Sequence, residues 1–163
     1  MSRMDMRQKF MILAVLLAVL AVPREVAAQQ SGQTPVEELI LKYADVQGAR
    51  DFVAKGGRMA VARSLLKATP LASVAGDVDE LAVLKMGNVS QDILNRFAGD
   101  LHEALKLYDY YGHQQTKNGL VDIYVLKTSS DTVEELVIYN PEIFSLNSLR
   151  GTFTVSELLE LSE

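Results

Sequence analysis

Cysteine is absent from this chain of 163 residues. No disulfide can brace the fold, so its stability must come from a packed core. The same absence removes a thiolate nucleophile and the lipidated cysteine of an envelope lipoprotein. Histidine is nearly absent too, with only His102 and His113. Without cysteine or a histidine pair at ligand spacing there is no recognisable zinc motif. Clustered lysine and arginine are also missing, and the formal net charge is −5. That argues against nucleic acid or an anionic membrane surface as partner, because both need concentrated positive charge. There is no G-x-S-x-G elbow, phosphate-loop spacing or dinucleotide fingerprint. The sequence therefore predicts no cofactor, no metal and no local catalytic constellation.

One long apolar run is present, and it is near the start. Arg3, Arg7 and Lys9 precede Phe10 to Val22, thirteen unbroken apolar residues. A spanning helix needs about 20. Val26 and Ala28 then supply small residues at the minus-three and minus-one positions of a cleavage site. The pattern is that of a secretory signal peptide over residues 1–28, the alternative being an uncleaved anchor. Cleavage would remove four basic residues and two acids, taking the charge from −5 to −7. The expected product is periplasmic or extracellular, with no stable membrane anchor. Residues 29–33 read as a flexible lead and 34–163 as a single α+β domain.

Along that domain the pattern alternates between two periods. Thr34-Pro35-Val36-Glu37 opens a helix with a capping threonine, a proline at the first position and a glutamate placed to reach back. "ARDFVAK" reads as a strand turned by Gly56-Gly57, and "RMAVARSLLKAT" as a helix stopping at Pro70. In "VDELAVLKM", Leu81 and Val83 face one way and Ala82, Leu84 and Met86 the other, as in a strand covered on both sides. Ser90 is a candidate cap for a long helix whose stripe runs Ile93, Leu94, Phe97, Leu101, Ala104, Leu105 and Tyr108. From Tyr108 the period becomes two: "YDYYGHQQT", "LVDIYVLK" and "TVEELVIYN" are strands joined by short polar turns. Asn140-Pro141 reads as a turn, Ile143 to Leu149 as a fourth strand ended by Gly151, and Thr154 to Glu157 as a capping box. The expected fold is α+β: a mixed sheet with a C-terminal antiparallel meander, helices packed on one face and a short closing C-terminal helix.

Candidate chemistry is sparse. Lys55, Gly56, Gly57 and Arg58 resemble an anion cradle at a helix start, although a tight strand-to-helix turn explains them as well. Glu134 and Glu135 are adjacent on a strand, hence on opposite faces, and ill placed to work on one bond. Asn88-Val89-Ser90 matches a glycosylation sequon. Tyr108, Tyr110, Tyr111, Tyr124 and Tyr139 form the candidate contact surface, since tyrosine joins an apolar body to a polar tip. Tyrosine is equally common as a plain strand residue.

The apolar patterns carry a resemblance. "EELVIY" (Glu134 to Tyr139), the strand leading to Gly151, the finish "FTVSELLEL" and the N-terminal "LILKYADVQGARDFVAK" are similar to the small exported Bacteroidetes proteins grouped as domain of unknown function 4252. The resemblance spans about Thr34 to Leu161 and brings no catalytic residue with it. Relatives are thought of as envelope lipoproteins, and the missing cysteine here departs from that. The resulting expectation is a non-enzymatic envelope protein that binds another envelope protein or a small ligand. The alternatives are a carboxylate-based hydrolase and a carrier of a small apolar ligand.

Overall fold

A computed structural model of the protein describes residues 32–68, 72–116 and 118–162. The expected signal peptide, residues 1–28, lies outside the described residues. The elements run α1 (Pro35–Tyr43), β1 (Arg50–Lys55), α2 (Met59–Lys67), α3 (Ala72–Ala75), β2 (Val78–Lys85), α4 (Gln91–Ala104), β3 (Asp109–Thr116), β4 (Gly119–Lys127), β5 (Thr132–Asn140), β6 (Ser145–Thr154) and α5 (Val155–Ser162). The six strands form one sheet in the order β1-β2-β6-β5-β4-β3. The fold is α+β, with the expected C-terminal meander and closing helix.

Two parts of the expected architecture are corrected. The sheet is not mixed: every neighbouring pair is antiparallel. The excursion between β1 and β2 is divided into α2 and α3, and Ala54 ends up opposite Leu81. The chain thus re-enters the sheet at the end it left, which forces an antiparallel pair. Helix α4 does carry the chain across a face, but β6, β5 and β4 separate the strands it joins. No parallel pair can form between them.

Nor do the helices share one face. Leu81, Val83, Ile123, Ile138 and Leu149 pack with Met59, Ala62 and Leu66 of α2, Val74 of α3 and Leu158 of α5. Ala82, Leu84, Val137, Tyr139 and Leu146 pack with Val36, Leu39 and Ile40 of α1 and Leu94, Phe97 and Leu101 of α4. The cause is the composition of β2, β5 and β6, which are apolar on both faces and need two covers. The alternation expected within β2 is the one observed.

Local signals account for most boundaries. The Thr34 hydroxyl accepts from the Glu37 amide at 3.3 Å at the start of α1. The box at α5 is complete: Glu157 Oε2 accepts from the Thr154 amide at 2.8 Å, and Thr154 Oγ1 accepts from the Glu157 amide at 3.2 Å. Asn140 Oδ1 accepts from the amides of Glu142 and Ile143 at 3.0 and 3.3 Å, which makes Asn140-Pro141 a side-chain-closed turn. Gly151 does not end β6, which continues to Thr154. Its role is close approach, because a Cβ there would collide with the Asp77 carbonyl oxygen. Ser90 caps α4 through its backbone geometry, without a side-chain hydrogen bond.

Candidate functional site

Strand register assembles a charged row that no local motif announces. Lys55 of β1 is opposite Glu80 of β2, Glu80 is opposite Arg150 of β6, and Arg150 is opposite Glu135 of β5. Cation and carboxylate alternate across four strands on the face covered by α1. Side chains directly opposite one another in a ladder interact most strongly, and opposite charges there are favourable.

Helix α1 closes the row from above. Glu37 is 2 % exposed, and its carboxylate receives Arg150 Nη1 at 2.7 Å and the Lys55 ammonium. Glu80 completes the set, accepting from Arg150 at 3.1 Å and pairing with Lys55 at 3.2 Å. The glutamate expected to finish the Thr34 capping box therefore reaches down to the sheet. Two cations offer a buried carboxylate more than one backbone amide does.

Glu135 is fully buried. The Ser148 hydroxyl donates to its Oε1 at 2.6 Å, and the Tyr108 hydroxyl donates to its Oε2 at 2.5 Å. Tyr108 in turn accepts from the Val36 amide at 3.3 Å. Burial pushes the Glu135 carboxyl above its usual range, against the opposing pull of Ser148, Tyr108, Thr34 and the Arg150 charge. Burial and the neighbouring Glu135 charge push the Tyr108 hydroxyl upward as well. The chain Val36–Tyr108–Glu135–Ser148 ties the first turn of α1 to β5 and β6.

The five sequence-selected tyrosines do not form one surface. Tyr108 and Tyr139 are buried, 7 % and 9 % exposed, because each lies on an apolar stripe beneath α1 and α4. Tyr111 packs against the opposite core. Tyr110 and Tyr124 do come together as opposed residues on β3 and β4, with ring centroids 5.4 Å apart in an edge-to-face arrangement. Tyr110 is 55 % exposed, and its hydroxyl shares a hydrogen bond with His113 Nδ1 at 3.0 Å. On this face the apolar side chains of β2, β6 and β5 are buried, whereas Tyr124 and Leu126 of β4 are only partly so. The α1/α4 layer leaves the β3 side open.

The glycine pair Gly56-Gly57 forms a single tight turn entering α2. Arg58 lies over the Phe52 ring at 5.3 Å, and Lys55 is directed into the charged row. Neither cation serves a cradle there. His102 and His113 are exposed on separate elements. Among the described residues no group of three or more His, Asp or Glu could hold a metal ion. No helix among them is long and apolar enough to cross a membrane.

No protein-family model, curated protein or solved structure matches this chain.

Proposed function

We propose that this chain is an exported, non-enzymatic binding domain of the cell envelope that docks a protein partner on the open β3–β4 side of its sheet. The observation that supports this is the Tyr110–Tyr124 pair. Two tyrosines stacked edge to face, one more than half exposed on an edge strand, offer a rigid amphipathic contact at low entropic cost. Leu107, the residue two before β3, is 70 % exposed. The leader-like N-terminus and the resemblance to the exported Bacteroidetes family set the compartment in this reading, so the partner is an envelope protein.

The convergence of Glu37, Glu80 and Glu135 on Arg150 gives the hydrolase alternative its one concrete location. Glu37 and Glu135 are enclosed and spend their oxygens on Lys55, Arg150, Tyr108 and Ser148. We assign that cluster to holding α1 on the sheet. A carrier would need room between sheet and helices, where Ile40, Leu84, Phe97 and Leu146 are each fully buried.

Immobilised protein and its Tyr110→Ser/Tyr124→Ser variant, both incubated with envelope extract, test the proposal. A partner retained by the parent should be retained about tenfold more weakly by the double variant. Val61→Ser, at an exposed position on α2, should leave retention unchanged. Equal retention by parent and double variant would exclude this surface.

A further inference from the structure

The open side of the sheet holds a carboxylate in a different setting from those beneath α1. Glu37 and Glu80 each meet Lys55 and Arg150, and Glu135 faces Arg150 across the ladder. On the helix above, Asp100 of α4 takes Lys42 at 2.8 Å. Asp122 of β4 is half-buried on the same face of the sheet. Among the described residues no lysine or arginine pairs with it. Carboxylates removed from water are ordinarily paired, so one without a cation beside it calls for a reason.

Its neighbours are aromatic instead. Asp122 is directly opposite His113 of β3 and Tyr139 of β5, and Tyr124 follows two residues on, on the same face. Tyr110, opposite Tyr124, completes the group. The His113 ring spends its Nδ1 on the Tyr110 hydroxyl at 3.0 Å. Partial burial, and after it the Asp122 charge, push the hydroxyls of Tyr110, Tyr124 and Tyr139 above the usual tyrosine value. The carboxylate therefore stands close to three phenol groups. The Tyr110 and Tyr124 rings meet at 61°, an arrangement that occupies the edge of one ring and leaves a ring face for another contact. Elsewhere Lys42 and Arg58 lie over the rings of Tyr43 and Phe52. Among the described residues no cation lies over Tyr110 or Tyr124.

We propose that Asp122, Tyr110 and Tyr124 form a recognition site for a guanidinium group, the side chain of an arginine carried by the docked partner. This role rests on the docking reading above and names the chemistry of its occupant. A planar guanidinium can lie on a tyrosine face while donating two parallel N–H bonds to a carboxylate. An ammonium is a strongly hydrated point charge and cannot do both equally well, so arginine fits better than lysine. Arginine against tyrosine is also a frequent centre of binding energy at protein interfaces. The net charge of −5 acts in the same direction, because an acidic chain steers a basic partner toward it.

Titration of the purified protein with N-acetyl-arginine amide, followed by amide chemical shifts, tests the site directly. The lysine and citrulline counterparts serve as probes of charge and shape. Saturable shifts at positions 110, 113, 122 and 124, with a dissociation constant on the order of 1 mM, are expected for arginine. Binding should weaken about tenfold in Asp122→Asn, whose dispersed spectrum shows that it is folded, and for the neutral citrulline compound. No saturable shifts at those positions, or equal binding of arginine, lysine and citrulline, overturns the proposal. The retention assay with Asp122→Asn added separates this site from the docking reading. Retention that needs Tyr110 and Tyr124 but is unchanged in Asp122→Asn overturns the guanidinium site and leaves docking intact. Arginine bound at Asp122 while retention ignores both tyrosines supports the guanidinium site and removes the docking reading.

Discussion

At the scale of the residue, the most informative group is Glu135. Its folded-state carboxyl titrates above the ordinary glutamate value, chiefly because it is buried. Between the two values the folded chain holds a proton that the unfolded chain has released. Stability must therefore fall as pH rises through that window and level off above it. Glu135→Gln removes the titration, so urea midpoints from about pH 4 to about pH 8 should fall less steeply than in the parent. An unchanged pH dependence would show that Glu135 titrates normally. Tyr108→Phe should cost roughly 3 kcal/mol by urea unfolding, since it strips a buried carboxylate oxygen and the Val36 amide of their shared partner. Little of this was legible beforehand. Glu135 reads as one acid among many, and only its alternation with Val137 and Tyr139 places it on a buried face. Glu37 looked like a capping residue because its helix position fits one. The competing attraction comes from Arg150, 113 positions away.

At the scale of the element, sequence and structure agree best where the signal is local. The reciprocal Thr154–Glu157 bonds are the ones the spacing predicts, and Phe153 and Leu158 share the core beside them. Thr154→Ala should destabilise the protein by about 1 kcal/mol in denaturant melts, through loss of that cap. A change within a few tenths would mean that α5 is held by its apolar face alone. Gly151 is the opposite case. As a local signal it reads as a strand end, yet β6 runs through it because Asp77 packs against the site where a side chain would be. Gly151→Ala should therefore cost roughly 2 kcal/mol or more, by displacing the Asp77 backbone or the strand. The helix Ala72–Ala75 leaves no signal in the sequence, since a single turn gives no periodicity to read.

At the scale of the whole molecule, the α+β class, the meander and the double-sided β2 were legible from apolar periodicity alone. Strand order was not, because periodicity says which face a residue takes and not which strand lies beside it. Apolar periodicity therefore predicts a mixed sheet with one covered face where the structure has an antiparallel sheet with helices on both. Both charged rows are products of strand order. One clamps α1, and the other sets Arg50 opposite Lys85. The aromatic pair is likewise assembled by register, and the α1/α4 layer stops short of it. The aromatic pair and the clamp thus occupy separate parts of one sheet.

The central claim is that the open β3–β4 side is where a partner docks. Site-specific photo-crosslinking tests it most directly, with a photoreactive residue placed in turn at positions 110, 124 and 61 of the full chain in its own cells. A partner docked on the β3–β4 side should give one common adduct from positions 110 and 124, with none from position 61 on α2. Adducts at 61 but not at 110, or equal labelling at all three, would contradict it.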